Sequence, residues 1–309
     1  MINFRYHVVS LTAVFLALAI GLVVGTAALN GPVADSLKDQ VTALSKDNSN
    51  YRDQANQYRD QLNRAQDFAT ELAPTLLNGK LTGRKVLLMA LPGSQDYVDQ
   101  VKSMLTIAGA TITAKVTVQD KFFDPNNNTE LLDLVAKSSQ PSLQVAGLPL
   151  NSDAVETSSA QLALALQQHT PEVTANDLTA VLTAYTEQSY ISVDKNPVGG
   201  AEVTVIVAGL PPVDNDAAKK TQSAVTFATQ FAKNKPLVVA GNGVGDGNLV
   251  AEVRKDPTLV KTISTVDNGS TNQGQLATAM AVVERVVQGK VGQYGVSAGA
   301  TSLVPRADA

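Results

Sequence analysis

The alternation of apolar and polar positions divides the chain into three regimes. From Val8 to Leu29 there is an apolar run without a single charge. At ~1.5 Å per helical residue it spans roughly 33 Å, against about 30 Å of bilayer hydrocarbon. Arg5 and the amino terminus flank it on one side, and Asp35 and Asp39 beside Lys38 on the other, so the positive-inside bias predicts a cytoplasmic amino terminus and an exported remainder. The alternative is a cleaved leader, with Thr26, Ala27 and Ala28 as the small residues; the run exceeds the 7–15 residues typical of a leader core. Within it, Ala13, Ala17, Gly21 and Gly25 recur every four residues, a ladder of small side chains along which two membrane helices can approach closely.

The second regime has a heptad period. One track reads Leu37, Leu44, Tyr51, Tyr58, Ala65 and Leu72; the other reads Ala34, Val41, Asn48, Ala55, Leu62, Ala69 and Leu76. These are d and a positions of a two-stranded coil. Asn48 at an a position favours two parallel strands in register, and Asp47 at g would pair with Arg52 at e across such a dimer. No glycine or proline interrupts 33–73, so one helix of roughly 60 Å is predicted. A helix lying on its own globular domain, or pairing with another protein, is the competing reading. Asn30-Gly31-Pro32 is the expected joint between the two helices.

Beyond Pro74 strands and helices alternate. Residues 86–91 are a continuous apolar run, as a strand buried on both faces is, with further apolar strands at 203–207 and 237–240, while 112–118 and 261–266 alternate like edge strands. Helices are predicted over 95–108, 158–168, 175–188, 216–233 and 273–287. The fold class is therefore a single transmembrane helix, a long coiled-coil helix, and an α/β domain with an open, mostly parallel doubly wound sheet of flavodoxin/Rossmann-like type. The expected domains are an anchor over 1–30, a stalk over 31–78, an extracytoplasmic α/β domain over 79–292 with a helical insertion at 121–200, and a frayed tail over 293–309. The insertion carries Asn126-Asn127-Asn128 and a Ser/Pro-rich stretch near 138–149.

Composition narrows the function. With 44% hydrophobic and 17% charged residues, the 309-residue chain carries enough apolar material for a sizeable core. A net charge of −4 without a basic stripe argues against nucleic acid as a partner. Zero cysteines exclude disulfides and thiolate metal sites.

An open sheet binds ligands beyond the carboxyl ends of its strands, here 92–95, 211–214, 241–248 and 267–268. The glycine-rich 241–247 follows a strand, with Asp267 about 20 residues on, as in a dinucleotide loop. Yet Asp246 occupies the third glycine position, where its charge would repel a pyrophosphate, so a plain strand-to-helix turn is the better reading. His7 and His169 are the only imidazoles, Gly93-Ser94-Gln95 is not a nucleophile elbow, and Asp96 with Asp99 reads as one solvated helix face. No catalytic or cofactor-binding residue is assigned, and an enzyme is not expected.

Phe4-Arg5-Tyr6-His7-Val8-Val9-Ser10-Leu11, the following 13–19, the glycine-bearing end of that helix, Gly83-Arg84-Lys85-Val86 and the 289–295 region with Tyr294 resemble the actinobacterial copper transport family MctB. The resemblance implies a cell-envelope protein of copper homeostasis, with an outer-envelope location within the family label. Some corynebacterial relatives are instead associated with a partner called SteA and with control of a peptidoglycan hydrolase during cell separation. Copper enters through the resemblance only: Met1, Met89, Met104 and Met280 form no M-x-x-M, and no H-x-H occurs, whereas copper(I) sites want clustered soft ligands. A lone uncharged helix also provides no polar pore lining. Two functions remain, a copper-homeostasis protein and an envelope scaffold that recruits a cell-wall hydrolase, in either case as a parallel homodimer on the membrane.

Overall fold

The computed structural model describes residues 4–29, 31–139, 143, 148–149, 153–194, 196–243 and 245–306. Met1, Asn30, most of the 138–149 stretch, Val244 and the last three residues, on which parts of the sequence reading fall, lie outside that set. The chain divides into two compact units, 1–64 and 65–309.

In the first unit, α1 (Phe4–Leu29) is long and apolar enough to cross a membrane over Phe4–Ala27. Two of its hydroxyls bond within the helix, Thr12 donating to the Val8 carbonyl at 2.7 Å and Thr26 to that of Leu22 at 2.9 Å, as an apolar solvent favours. Gly31 separates it from α2 (Pro32–Leu77), where Pro32 takes the first position, whose N–H would have no intrahelical acceptor. Forty-six residues give α2 a length of about 69 Å.

The second unit opens with the last turns of α2. Ala69, Ala73 and Leu77, four apart on one face, are buried in its core, and Asn272 donates to the Gln66 carbonyl (3.3 Å) and to Thr70 Oγ1 (3.0 Å). Pro74 is tolerated because it lies in the final turn, where it costs a single backbone bond.

The elements then run β1 (Lys85–Ala90), α3 (Gln95–Ile107), β2 (Thr111–Val118), α4 (Asp120–Phe123), α5 (Asn128–Lys137), α6 (Ala154–Leu166), α7 (Ala175–Glu187), β3 (Ile191–Val193), β4 (Val203–Val207), α8 (Ala217–Ala232), β5 (Leu237–Ala240), α9 (Leu249–Lys255), β6 (Ile263–Val266), α10 (Asn272–Val283) and β7 (Gln293–Tyr294). The seven strands stand in the order β3-β2-β1-β4-β5-β6-β7. All pairs are parallel except β2 with β3.

Side chains alternate across each central strand and feed two cores. Leu87 and Met89 of β1, Ile206 of β4 and Val239 of β5 face the core built with α4 to α9. Val86 and Leu88, Val205 and Val238 face the core built with α3, α10 and the end of α2. Burial on both faces explains why these strands read as predominantly apolar.

Three expectations are corrected. Neither β2 nor β6 is an edge: β3 flanks the first and β7 the second. All four β6 residues are buried, Ser264 and Thr265 included, because Ser264 Oγ accepts the Gly292 N–H (3.2 Å) and Thr265 Oγ1 donates to Gln293 Oε1 (2.5 Å). The tail expected to fray from 293 begins with β7 and folds back, with Thr301 N–H donating to the Gln293 carbonyl (2.7 Å) and Gly295 N–H to that of Ser302 (3.0 Å). Among the described residues of the interval 121–200, α4 to α7 are followed by β3, which pairs with β2 inside the sheet instead of staying outside it.

Candidate functional site

The sheet reverses its winding direction between β1 and β4, and the loops after these two strands diverge there. Both ends are shaped by residues that permit close backbone approach. Gly93 has φ +78°, and a Cβ on Gly209 would lie 2.1 Å from the Pro92 carbonyl oxygen, so only glycine fits at 209. Ser94 Oγ donates to the Leu91 carbonyl (2.7 Å) and the Tyr97 hydroxyl donates to that of Ala208, tying one loop to the other. Burial, with the Asp96 charge nearby, pushes the Tyr97 hydroxyl up to about 12, so it stays a donor at neutral pH.

The diverging loops open a cleft of about 300 Å³. Leu91 and Ala208 form its floor and Phe123, Ala224, Leu249 and Pro211 its walls, with Asp120, Lys220 and Leu210 at the rim. Lys220 donates to Asp214, which holds the ammonium above its ordinary range, with further support from the charges of Asp124 and Asp120; the same contact holds the Asp214 carboxyl below its ordinary value. Thr221 Oγ1 donates to the Gly247 carbonyl at 3.1 Å and closes the side toward the glycine-rich turn. This arrangement suits an apolar group anchored by a few polar contacts.

Of the strand-end segments expected to meet, Pro92 and Gly93, Pro211, and Gly247 come together here. Asp267 does not. Its carboxylate is fully used within the protein, accepting from Arg254 Nη1 (2.8 Å), Val296 N–H (2.8 Å) and Ser297 N–H (3.2 Å). Arg254 also donates to Thr265 Oγ1 and the Tyr294 carbonyl. No oxygen remains for a ribose. Asp99 pairs with Lys115 at 2.8 Å rather than with Asp96, and the half-buried His169 ring lies 3.3 Å from the Pro171 carbonyl.

Phe123, Asp120, Lys220 and Leu210 escaped the sequence reading. The short spacing of Asp120 from β2 and the Leu210-Pro211-Pro212 run after β4 were the available signals.

In the first unit, Ala13, Ala17, Gly21 and Gly25 lie exposed along α1, and a Cβ on either glycine would meet nothing within 4 Å. Leu37, Val41, Leu44, Asn48, Tyr51, Tyr58 and Leu62 are all exposed, one bare stripe along α2. Leu72 is half-buried, beside Ala73 in the second unit.

The family model described as "Copper transport outer membrane protein, MctB" matches residues 1–305. Proteins named "Copper transporter MctB" are similar over nearly their whole length. That of Mycobacterium tuberculosis is 29% identical over 315 aligned residues, 98% of this chain and 99% of the relative. That of Mycobacterium leprae is 30% identical over 319, with the same coverage.

Proposed function

Because the chain belongs to the MctB family of copper transport proteins, we propose that it serves copper handling at the cell envelope, held by α1 with its amino terminus in the cytoplasm and its α/β head outside. The observation that carries this reading is the match over 1–305, which takes in the membrane-length helix as well as the head. Arg5 before that helix, with Asp35 and Asp39 after it, supports the orientation.

The head's part is positional and non-catalytic. Met89 and Met104 are buried in apolar packing, and among the described residues no group of three His, Cys, Asp or Glu side chains is arranged to hold a metal ion. Copper(I) would find no clustered soft ligands there, so the cargo is handled together with a partner. Counted over β2-β1-β4-β5-β6, leaving out the antiparallel β3 and the two-residue parallel β7, the order 2-1-3-4-5 supports a flavodoxin-like head.

The bare stripe from Leu37 to Leu62 favours a parallel homodimer through α2, with Gly21 and Gly25 packing in α1. The same stripe favours a second reading, an envelope scaffold that recruits a peptidoglycan hydrolase with a SteA-like partner.

Growth in rising copper tests the first reading. A strain without the gene should lose tolerance, regain it with the full chain, and not regain it when 1–29 are replaced by a cleaved leader. Unchanged tolerance in the deletion strain would remove the copper reading, leaving the scaffold to be tested by capture of the hydrolase on α2.

A further inference from the structure

The cleft at the strand reversal continues outward into apolar surface that the chain itself does not cover. Leu210 is 73% exposed and Val213 97% exposed, on either side of Pro211 and Pro212. The two prolines fix φ and offer no N–H, so the loop presents both side chains in a restricted conformation at little further entropic cost. The cavity beneath, about 300 Å³, is roughly twice the ~150 Å³ of an engineered apolar cavity that accepts benzene. A small ligand buried within it would leave Leu210 and Val213 uncovered, whereas a chain lying across the mouth would cover them. Exposed apolar surface next to a polar rim is the mark of a protein contact.

The rim sets the sign of the partner. Asp214 is matched by Lys220 and Asp216 by Lys219, while Lys255 is shared between Asp246 and Glu252. Asp120 and Asp124 have no ion pair among the described residues, and both lie close enough to act on Lys220. The mouth therefore carries surplus negative charge, which excludes an anionic guest and favours a cationic flank.

We propose that this cleft docks an extended segment of a partner protein, which inserts an aliphatic side chain between Phe123 and Leu249 and presents Lys or Arg to Asp120 and Asp124. The contact is independent of copper and of the α2 stripe.

Random heptapeptides displayed on phage are selected on the full chain in detergent micelles, counter-selected on the Ala224→Phe chain, and the winners synthesised and measured by fluorescence anisotropy. Enrichment of an aliphatic residue within two positions of Lys or Arg is expected. Binding should weaken at least tenfold with Leu210→Ser, an exposed position where the fold is unaffected, and severalfold with Asp120→Asn. No enrichment, winners without a basic residue, or equal binding to the Leu210→Ser chain would each overturn the proposal. So would hexylammonium binding with the same response to these substitutions as the peptides, since that outcome assigns the cleft to a small amine.

Discussion

Arg254 and Asp267 form the most deeply buried ion pair among the described residues, with side chains 7% and 0% exposed. Replacing Arg254 with Met keeps much of the side chain's length and removes the cation. The Asp267 carboxylate keeps the Val296 and Ser297 N–H groups but loses its counter-charge at zero exposure. Breaking a buried pair from one side costs about 3–5 kcal/mol. Asp267→Asn keeps the shape but turns an NH2 group toward donors, at about 1–3 kcal/mol, and strands the guanidinium. Because both changes strike one network, the double variant should be less destabilised than the sum, with a coupling of about 0.5–3 kcal/mol. For a unit of this size, ~2–4 °C per kcal/mol lowers the Tm of the Arg254→Met chain by roughly 6–20 °C. Thermal and urea melts of the full chain in detergent, followed by circular dichroism, supply the numbers. Limited proteolysis supplies the location, since Arg254 also holds the Tyr294 and Ala298 carbonyls and its loss should expose 295–303 to cleavage first. Single variants within about 1 kcal/mol of the parent, or strictly additive effects, would refute the view that this pair pins the carboxyl-terminal segment to β6.

Gly209→Ala places a Cβ 2.1 Å from the Pro92 oxygen and 2.6 Å from the Gly93 carbonyl carbon, so the β1 loop must move; a loss of at least ~1–3 kcal/mol in a urea melt is expected, and parental stability would contradict the close approach. Replacing Leu44 and Leu62 together by Gln should weaken self-association by more than ~10³-fold in sedimentation, since each buried leucine is worth about 1.5–3 kcal/mol per helix; an unchanged sedimentation coefficient would dispose of the α2 dimer. Asp256 accepts the Thr258 and Leu259 N–H groups at 2.7 and 2.9 Å, bonds that hold its carboxyl below the ordinary 3.8. Its contribution is therefore complete above the unfolded value and disappears as pH falls through the lower folded one. The gap in urea midpoint between parent and Asp256→Asn should accordingly close in acid, and a gap constant from ~pH 7 to ~pH 2.5 would contradict the assignment.

The parts of the fold legible in the sequence are those whose environment repeats along the chain. Strands β4 and β5 lie between two helical layers, and all five positions of β4 are buried, with Thr204 its one polar residue, whose hydroxyl accepts from Gln167 Nε2. β7 has no such signature: it is two residues long, held by β6 almost thirty residues earlier and by Arg254 earlier still. β6 misled for a related reason. Its Ser264 and Thr265 are buried because specific side-chain hydrogen bonds satisfy them, which alternation alone reads as solvent. The cleft was half legible. The strand-end rule located Pro92, Pro211 and Gly247, whereas Phe123 and Lys220 arrive through α4 and α8, whose placement depends on long-range packing.

The end of α2 shows how one helix satisfies two demands with one apolar pattern. Leu37 to Leu62 keep the heptad spacing and stay bare, while Ala69, Ala73 and Leu77 keep a spacing of four and are buried. Steps of four advance about 40° around a helix of 3.6 residues per turn, so the buried track turns away from the a/d stripe within two turns. Ala69, an a position, is only 6% exposed and already covered by its own chain. A second copy's helix therefore has no access to it, and a parallel seam that begins at Leu37 has to end by Ala65. Disulfide trapping through cysteines introduced at 37, 44, 51, 58 and 72 puts this limit to the test. Efficient crosslinks through 58 with none at 72 are expected, and a crosslink at 72 as efficient as at 44 would mean that the last turns of α2 leave the head to pair.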